Sequence, residues 1–239
     1  MKVKIVSCHT KENSEWIKLH KKSFIELAKA HSSYEYEFTE ISKEDNFFKF
    51  FKKEDAPFYY RYSLLIREII KGESDIIIYV DSDVINMDTG PLLIDFNKDK
   101  SKNIWLTPSL NMFNTGFIGV RVDSDISKFL KKILNVAINE YSKYEKEYHV
   151  VRGELVSFHD EAIFNNLWKT NYDNVMLQTR IVSAAMYNAK LQIEGYGFPY
   201  VPEIQYVRGV SKLLHLEAHT KDFVKDVIKG NNFLKRITK

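Results

Sequence analysis

Asp75-Ile76-Ile77-Ile78-Tyr79-Val80-Asp81-Ser82-Asp83 is the most informative stretch of this chain. Its β-branched and aromatic run has no polar alternation. Such a run predicts a strand buried on both faces, as at the centre of a parallel sheet. Two carboxylates, one residue apart, follow where the strand ends. In open α/β sheets, ligands bind just beyond the carboxyl ends of strands. Two close carboxylates repel each other, and a divalent cation relieves that repulsion. Their hard oxygens suit Mg²⁺ or Mn²⁺, which can also grip a substrate diphosphate. A solvated acidic turn is the plainer alternative.

Working outward, Lys2–Ser7 reads as a buried strand. Glu15–Ala30 has a helical apolar face with Asn13 or Ser14 as its cap. Glu35–Glu40 alternates as a second strand, and a Phe-containing loop follows from Ser42 to Asp55. Pro57 opens a helix to Lys71, which Gly72 stops. The resulting βαβαβ alternation predicts an α/β fold with a parallel sheet. Ile104–Thr107, Thr115–Val120 and Val175–Gln178 are further predicted strands; Ser124–Tyr144 and Ser157–Lys169 are predicted helices. Gly195–Pro202, with two Gly and two Pro, is expected to be a loop.

Composition narrows the class. The 239 residues are 44% hydrophobic and 28% charged, ordinary for a globular chain and against disorder. No repeat or flexible linker is evident, so one domain over 1–220 is expected, followed by a tail over 221–239. The single cysteine, Cys8, excludes an internal disulfide framework and a Cys-cluster zinc site. No apolar run approaches the ~20 residues that span a bilayer, and the N-terminal apolar segment is too short for a signal peptide. The cytoplasm is the expected location. The net charge of +3 is too small to imply a nucleic-acid partner.

The acidic stretch has counterparts elsewhere in the chain. Ile78-Tyr79-Val80-Asp81-Ser82-Asp83-Val84-Ile85 resembles the Asp-x-Asp segment of GT-A-fold glycosyltransferases, particularly family 8. An Arg-bearing helix precedes that segment in the family, as Tyr60-Arg61-Tyr62-Ser63-Leu64-Leu65 does here. Phe113-Asn114-Thr115-Gly116-Phe117-Ile118-Gly119-Val120 is similar to the family's Phe-Asn-x-Gly strand. Asp160-Glu161-Ala162-Ile163-Phe164-Asn165 resembles its Asp-Gln helix start, with Glu in place of Gln. His215-Leu216-Glu217-Ala218-His219-Thr220-Lys221 has the spacing of its C-terminal His and Lys motif, though Asp222-Phe223 stands where Pro-Trp is usual. The likeness runs from Arg61 to Lys221.

That resemblance implies a GT-A fold, α/β and Rossmann-like, with a mixed, mainly parallel sheet flanked by helices. It implies a metal-dependent hexosyltransferase using a nucleotide sugar, UDP-linked in family 8, with retention at the anomeric carbon. Asp81, Asp83 and His215 would hold Mn²⁺ or Mg²⁺. Arg61, Asn114, Gly116, Asp160, Lys221 and Asp81 would contact the donor. Glu161 and Asp160 would be the catalytic carboxylates. The acceptor would be a glycan, a glycolipid or a glycoprotein.

Each residue also has a structural reading: Arg61 as a surface cation, His215 as a half-buried core histidine, Asn114 as a turn residue, Asp160 as a helix cap. His159, His219 and Cys8 are expected to be bystanders. A carboxylate at Glu161 could stabilise or attack the anomeric carbon, or act as a base in an inverting displacement. A haloacid-dehalogenase-like phosphatase also carries Asp-x-Asp after an apolar strand, but on its first strand. A non-catalytic nucleotide- or glycan-binding module is the other rival.

The tail, Lys221–Lys239, holds six basic and two acidic residues, +4, so the other 220 carry −1. Phe223, Val224, Val227 and Ile228 fall at helical spacing; Gly230-Asn231-Asn232 interrupts; Phe233, Leu234 and Ile237 resume. A basic amphipathic segment of this kind either packs on the domain or lies weakly on an anionic membrane surface.

Overall fold

The structure is a computed structural model. It describes residues 1–10, 14–42, 46–51, 56–92, 94–109, 112–122, 124–144, 148–151, 154–157, 160–187, 189–190, 211–216 and 224–238. The first half runs β1 (Val3–Thr10), α1 (Glu15–Ala30), β2 (Tyr34–Ile41), α2 (Ala56–Lys71), β3 (Ile76–Val80), β4 (Val84–Asn86), β5 (Ile104–Ser109) and β6 (Met112–Arg121). Then come α3 (Ile126–Tyr144), the hairpin β7 (Tyr148–Val151) and β8 (Glu154–Ser157), α4 (Asp160–Lys169), α5 (Val175–Gln178) and β9 (Thr179–Ile181). Last are α6 (Ala184–Tyr187), β10 (Ala189–Lys190), β11 (Leu213–His215), α7 (Val224–Gly230) and α8 (Asn232–Thr238).

A six-stranded sheet in the order β2-β1-β3-β6-β5-β9 forms the centre. The predicted βαβαβ unit is there, with β1 parallel to both β2 and β3. Strand β6 runs antiparallel to β3 and to β5, while β5 and β9 are parallel, so the sheet is mixed. All five residues of β3 are buried, as their unbroken apolar run requires.

The two faces of the sheet follow strand alternation. Val3 and Ile5 of β1 join Ile76, Ile78 and Val80 of β3 under Phe24 and Leu27 of α1. Val6 and Cys8 join Ile77 and Tyr79 on the other face, with Tyr59, Tyr62 and Leu65 of α2 and Phe129 and Ile133 of α3. Since Tyr79 and Asp81 are two residues apart, Asp81 leaves the sheet on the α2 side.

Two predicted elements differ. Val175–Gln178 is a short helix, and the strand is the next segment, Thr179–Ile181. Its apolar run is too short to separate helix from strand by periodicity. Local side chains decide it: Asn171 Oδ1 accepts the Met176 N–H at 3.0 Å, and Thr179 Oγ1 donates to the Val175 carbonyl at 2.7 Å. The helix expected from Ser157 begins at Asp160 because Ser157 closes β8. The expected loop Gly195–Pro202 lies outside the described residues.

The tail packs on the domain. Leu234 is fully buried with Leu19, Ile85, Met87, Leu214 and Leu216; Ile228, Phe233 and Ile237 pack beside it. Asn231 Nδ2 donates to the Met87 carbonyl at 3.0 Å, and its Oδ1 accepts the Leu234 N–H at 3.0 Å. Leu234 has no apolar surface left for lipid, while Phe233 and Ile237 are half-buried; membrane contact through the tail is not shown by this packing. Among the described residues no helix is long and apolar enough to cross a membrane.

Two measurements probe this frame. Leu234→Ala should cost about 3 kcal/mol, since it empties a buried leucine site. A loss below ~1 kcal/mol in urea unfolding would show the tail to be loosely attached. The second concerns buried Lys4, whose ammonium lies 2.8 Å from both Glu37 and Glu68. Burial raises the Glu68 pKa, but hydrogen bonds from Lys4, Lys71 and Arg67 outweigh it and bring it to about 2. A depressed carboxylate stabilises the fold above its unfolded pKa, and that contribution is lost as pH falls toward the folded value. Between pH 4.5 and 2, wild type should therefore lose up to about 3 kcal/mol that Glu68→Gln does not lose. Parallel acid titrations of the two proteins check this.

Candidate active site

The site forms where β3 ends. The Asp81 N–H donates to the Gly116 carbonyl at 3.0 Å, tying the acidic turn to β6. The Val84 N–H donates back to the Asp81 carbonyl at 2.9 Å, closing the turn that carries both carboxylates. The chain then enters β4, which pairs antiparallel with β11, so that Leu214 faces Ile85 and His215 faces Val84. The Leu216 N–H donates to the Asp83 carbonyl at 2.8 Å. This pairing delivers His215 to Asp83 from far along the chain.

Asp81, Asp83 and His215 each present a ligand atom within 4.8 Å of the others. His215 Nε2 lies 3.3 Å from Asp83 Oδ1. The two carboxylates are about one-fifth exposed, so the cluster is open to solvent while its backbone is held. Burial raises the pKa of Asp81, and Asp83 adds to the rise against the opposing pull of Arg61 and His215. Such a pair favours a nearby cation.

Asp81 divides its two oxygens. Oδ1 accepts the Tyr79 hydroxyl at 2.8 Å and faces Arg61 Nη2 at 3.2 Å. Oδ2 faces Gly116. A β-carbon at that glycine would lie 2.6 Å from Asn114 Oδ1, 2.9 Å from Asp81 Oδ2 and 3.2 Å from His215 Cε1. Gly116 therefore lets two of the three candidate ligands and Asn114 approach its backbone more closely than a β-carbon would allow. Oxygen donors and an imidazole fit a divalent cation.

Arg61 is placed differently from the surface cation that its helix position allows. It is 2% exposed and turned inward. Nη1 donates to the Thr115 carbonyl at 2.6 Å and to its hydroxyl at 2.7 Å; Nε lies 3.6 Å from Asp160 Oδ2. Burial works against the charge, but Asp160 and Asp81 outweigh it and hold the guanidinium well above its ordinary value. Asp160 is also buried, and its Oδ2 accepts the Tyr62 hydroxyl at 2.5 Å. Both residues brace the site from behind.

Glu161, the next residue of α4, is only partly buried. Its Oε1 accepts the Thr115 N–H at 3.2 Å, which sets this carboxylate on the Asn114-Thr115-Gly116 backbone. Asn114 Oδ1 accepts the Gly116 N–H at 2.8 Å, so the turn reading is also realised. Cys8 is buried, with burial pushing its thiol up to about 12, as suits a bystander. Lys221, His219 and His159 lie outside the described residues.

Tyr62, Tyr79 and Thr115 are the participants that motif reading passed over. Tyr79 had a signal: two residues before Asp81, it shares that residue's face of the strand. Tyr62 adjoins Arg61 in sequence but carries no pattern that marks a contact with Asp160.

Gly116→Ala should weaken Mn²⁺ binding at least tenfold while the protein stays folded, because the new methyl competes for space with Asp81 and His215. Titration calorimetry with Mn²⁺ reads this, and unchanged affinity would mean that the Asp81, Asp83 and His215 cluster is not a cation site.

No family model matches the chain, and no curated protein is detectably similar to it in sequence. Solved structures are similar. A glycosyltransferase involved in the glycosylation of the major capsid of PBCV-1 superposes with a TM-score of 0.68 at 12% identity, covering 96% of this chain and all of that one. The glycosyltransferase GlyE of Streptococcus pneumoniae TIGR4 gives 0.57 at 15% identity over 99% of this chain. Its apo form gives 0.52 at 16% identity over 90%. The chain spans 59% and 54% of those two GlyE chains. Mixed sheet, flanking helices and these superpositions together give the chain the GT-A glycosyltransferase fold.

Proposed function

We propose that the chain is a metal-dependent glycosyltransferase. It moves a hexose from a nucleotide sugar, UDP-linked by its resemblance to family 8, to a glycan, glycolipid or glycoprotein acceptor, with retention at the anomeric carbon. The observation that carries this reading is the convergence of Asp81, Asp83 and His215 at the carboxyl end of β3, in a chain with this fold.

Asp81 Oδ2, Asp83 and His215 would hold the cation. Two carboxylates and one imidazole suit Mn²⁺ at least as well as Mg²⁺, which prefers oxygen almost alone. A bound divalent ion supplies positive charge to the departing nucleoside diphosphate. Lys221 adds a second cation to that leaving group under the same resemblance.

The chain's own groups set the geometry. Gly116 lets Asn114, Asp81 and His215 close in on one point of β6, and the donor would lie against them. Glu161, held on the Thr115 N–H, would stabilise positive charge at the anomeric carbon or attack it. Asp160 and Arg61 act at one remove, by fixing Asp81 and the Thr115 segment. A haloacid-dehalogenase-like phosphatase carries its Asp-x-Asp after the first strand, whereas Asp81 follows β3.

Release of UDP from UDP-hexoses, followed with Mn²⁺ and with chelator, tests the proposal. Wild type should release UDP only with the ion. Asp83→Asn should lose about 100-fold of that activity, the upper range for disturbing a metal site, with its melting temperature little changed. Equal turnover with chelator, or in the variant, would contradict the assignment.

A further inference from the structure

His20 has no part in the chemistry above, yet it is fully buried directly behind the acidic turn. It projects from α1 and bonds through both ring nitrogens. Nδ1 lies 2.5 Å from the Val84 carbonyl, and Nε2 lies 3.0 Å from Ser7 Oγ on β1. A carbonyl can only accept, so Nδ1 carries the proton. Burial favours the neutral ring, lowering its pKa to about 4. Phe24, Tyr36 and Phe38 surround the ring with centroids 4.9–5.8 Å away and fix its plane.

Val84 is where this contact matters. It follows Asp83, its N–H closes the turn onto Asp81, and it faces His215 across the β4–β11 pairing. One carbonyl is thus linked by backbone to all three candidate ligands. Nearby, the Asn86 N–H donates to Ser23 Oγ at 3.1 Å, a second tie from α1 to the same short strand. A three-residue strand makes few ladder bonds of its own, so its position depends on such ties.

We infer that His20 is a positioning residue for the cation site: its bond to the Val84 carbonyl holds the turn at which Asp81, Asp83 and His215 converge. This rests on the cation reading above. Groups that orient metal ligands from outside typically govern affinity by about 10- to 100-fold.

Three variants separate the bond from bulk. His20→Asn keeps an N–H donor near the Nδ1 position. His20→Gln reaches only toward the Ser7 end. His20→Leu keeps apolar volume and no donor. Mn²⁺ affinity is read by loss of the free-ion EPR signal, with a thermal melt of each protein. His20→Asn should stay within about threefold of wild type, while His20→Gln and His20→Leu should bind about tenfold more weakly or worse. If His20→Leu does not fold, the Asn and Gln pair decides. Equal affinity in wild type, Asn and Gln variants, or equal losses in the Asn and Gln variants, would overturn the inference. No Mn²⁺ binding by wild type would instead bring down the cation reading itself, and the inference with it.

Discussion

A buried guanidinium organises this molecule. Arg61 sits on α2, beneath the end of β3, and reaches Asp81 after β3, Thr115 on β6 and Asp160 at the start of α4. Removing a charge from water costs several kcal/mol unless partners compensate, and breaking such an arrangement leaves an unpaired charge behind. Four elements, α2, β3, β6 and α4, therefore have to meet around one side chain. Tyr62 and Tyr79 complete the shell, each donating to one of the two aspartates. The outcome is that Asp81 has one anchored oxygen and one directed at the site.

The second requirement is room. Carboxylates and an imidazole can converge only if the intervening strand yields space, and β6 yields it at Gly116. The family resemblance assigns that glycine to the donor sugar. The structure adds a nearer reason, since Asp81 and His215 already crowd the position. The third requirement is the β4–β11 pairing, on which Leu19 of α1 and Leu234 of α8 pack together. The C-terminal helices are thus part of the frame that carries His215.

Much of this was legible before any coordinates. The run Ile76–Val80 announced a central strand, and α1 and α2 were marked by apolar spacing, Gly72 and Pro57. Asp81, Asp83 and His215 could be named because their types and order matched a known pattern. The burial of Arg61 was not legible: an arginine flanked by tyrosines on a helix has the same local signature whether it faces water or the core, and contacts with Asp81, Thr115 and Asp160, all distant in sequence, decide. Short elements escaped for a related reason. β4 and β11 have three residues each, too few for periodicity, and they exist because they pair with one another. At 12–16% identity the superposed glycosyltransferases share the backbone frame with little of the sequence. The chemistry therefore has to be argued from the site.

The central claim is that Asp81, Asp83 and His215 together hold a divalent cation. Anomalous diffraction from a crystal of this protein grown with Mn²⁺ and UDP tests it most directly. The account predicts one strong peak within bonding distance of Asp81 Oδ2, an Asp83 oxygen and a His215 nitrogen, with the diphosphate on its open side. A peak held by other residues, or none at these three with UDP bound, would contradict it.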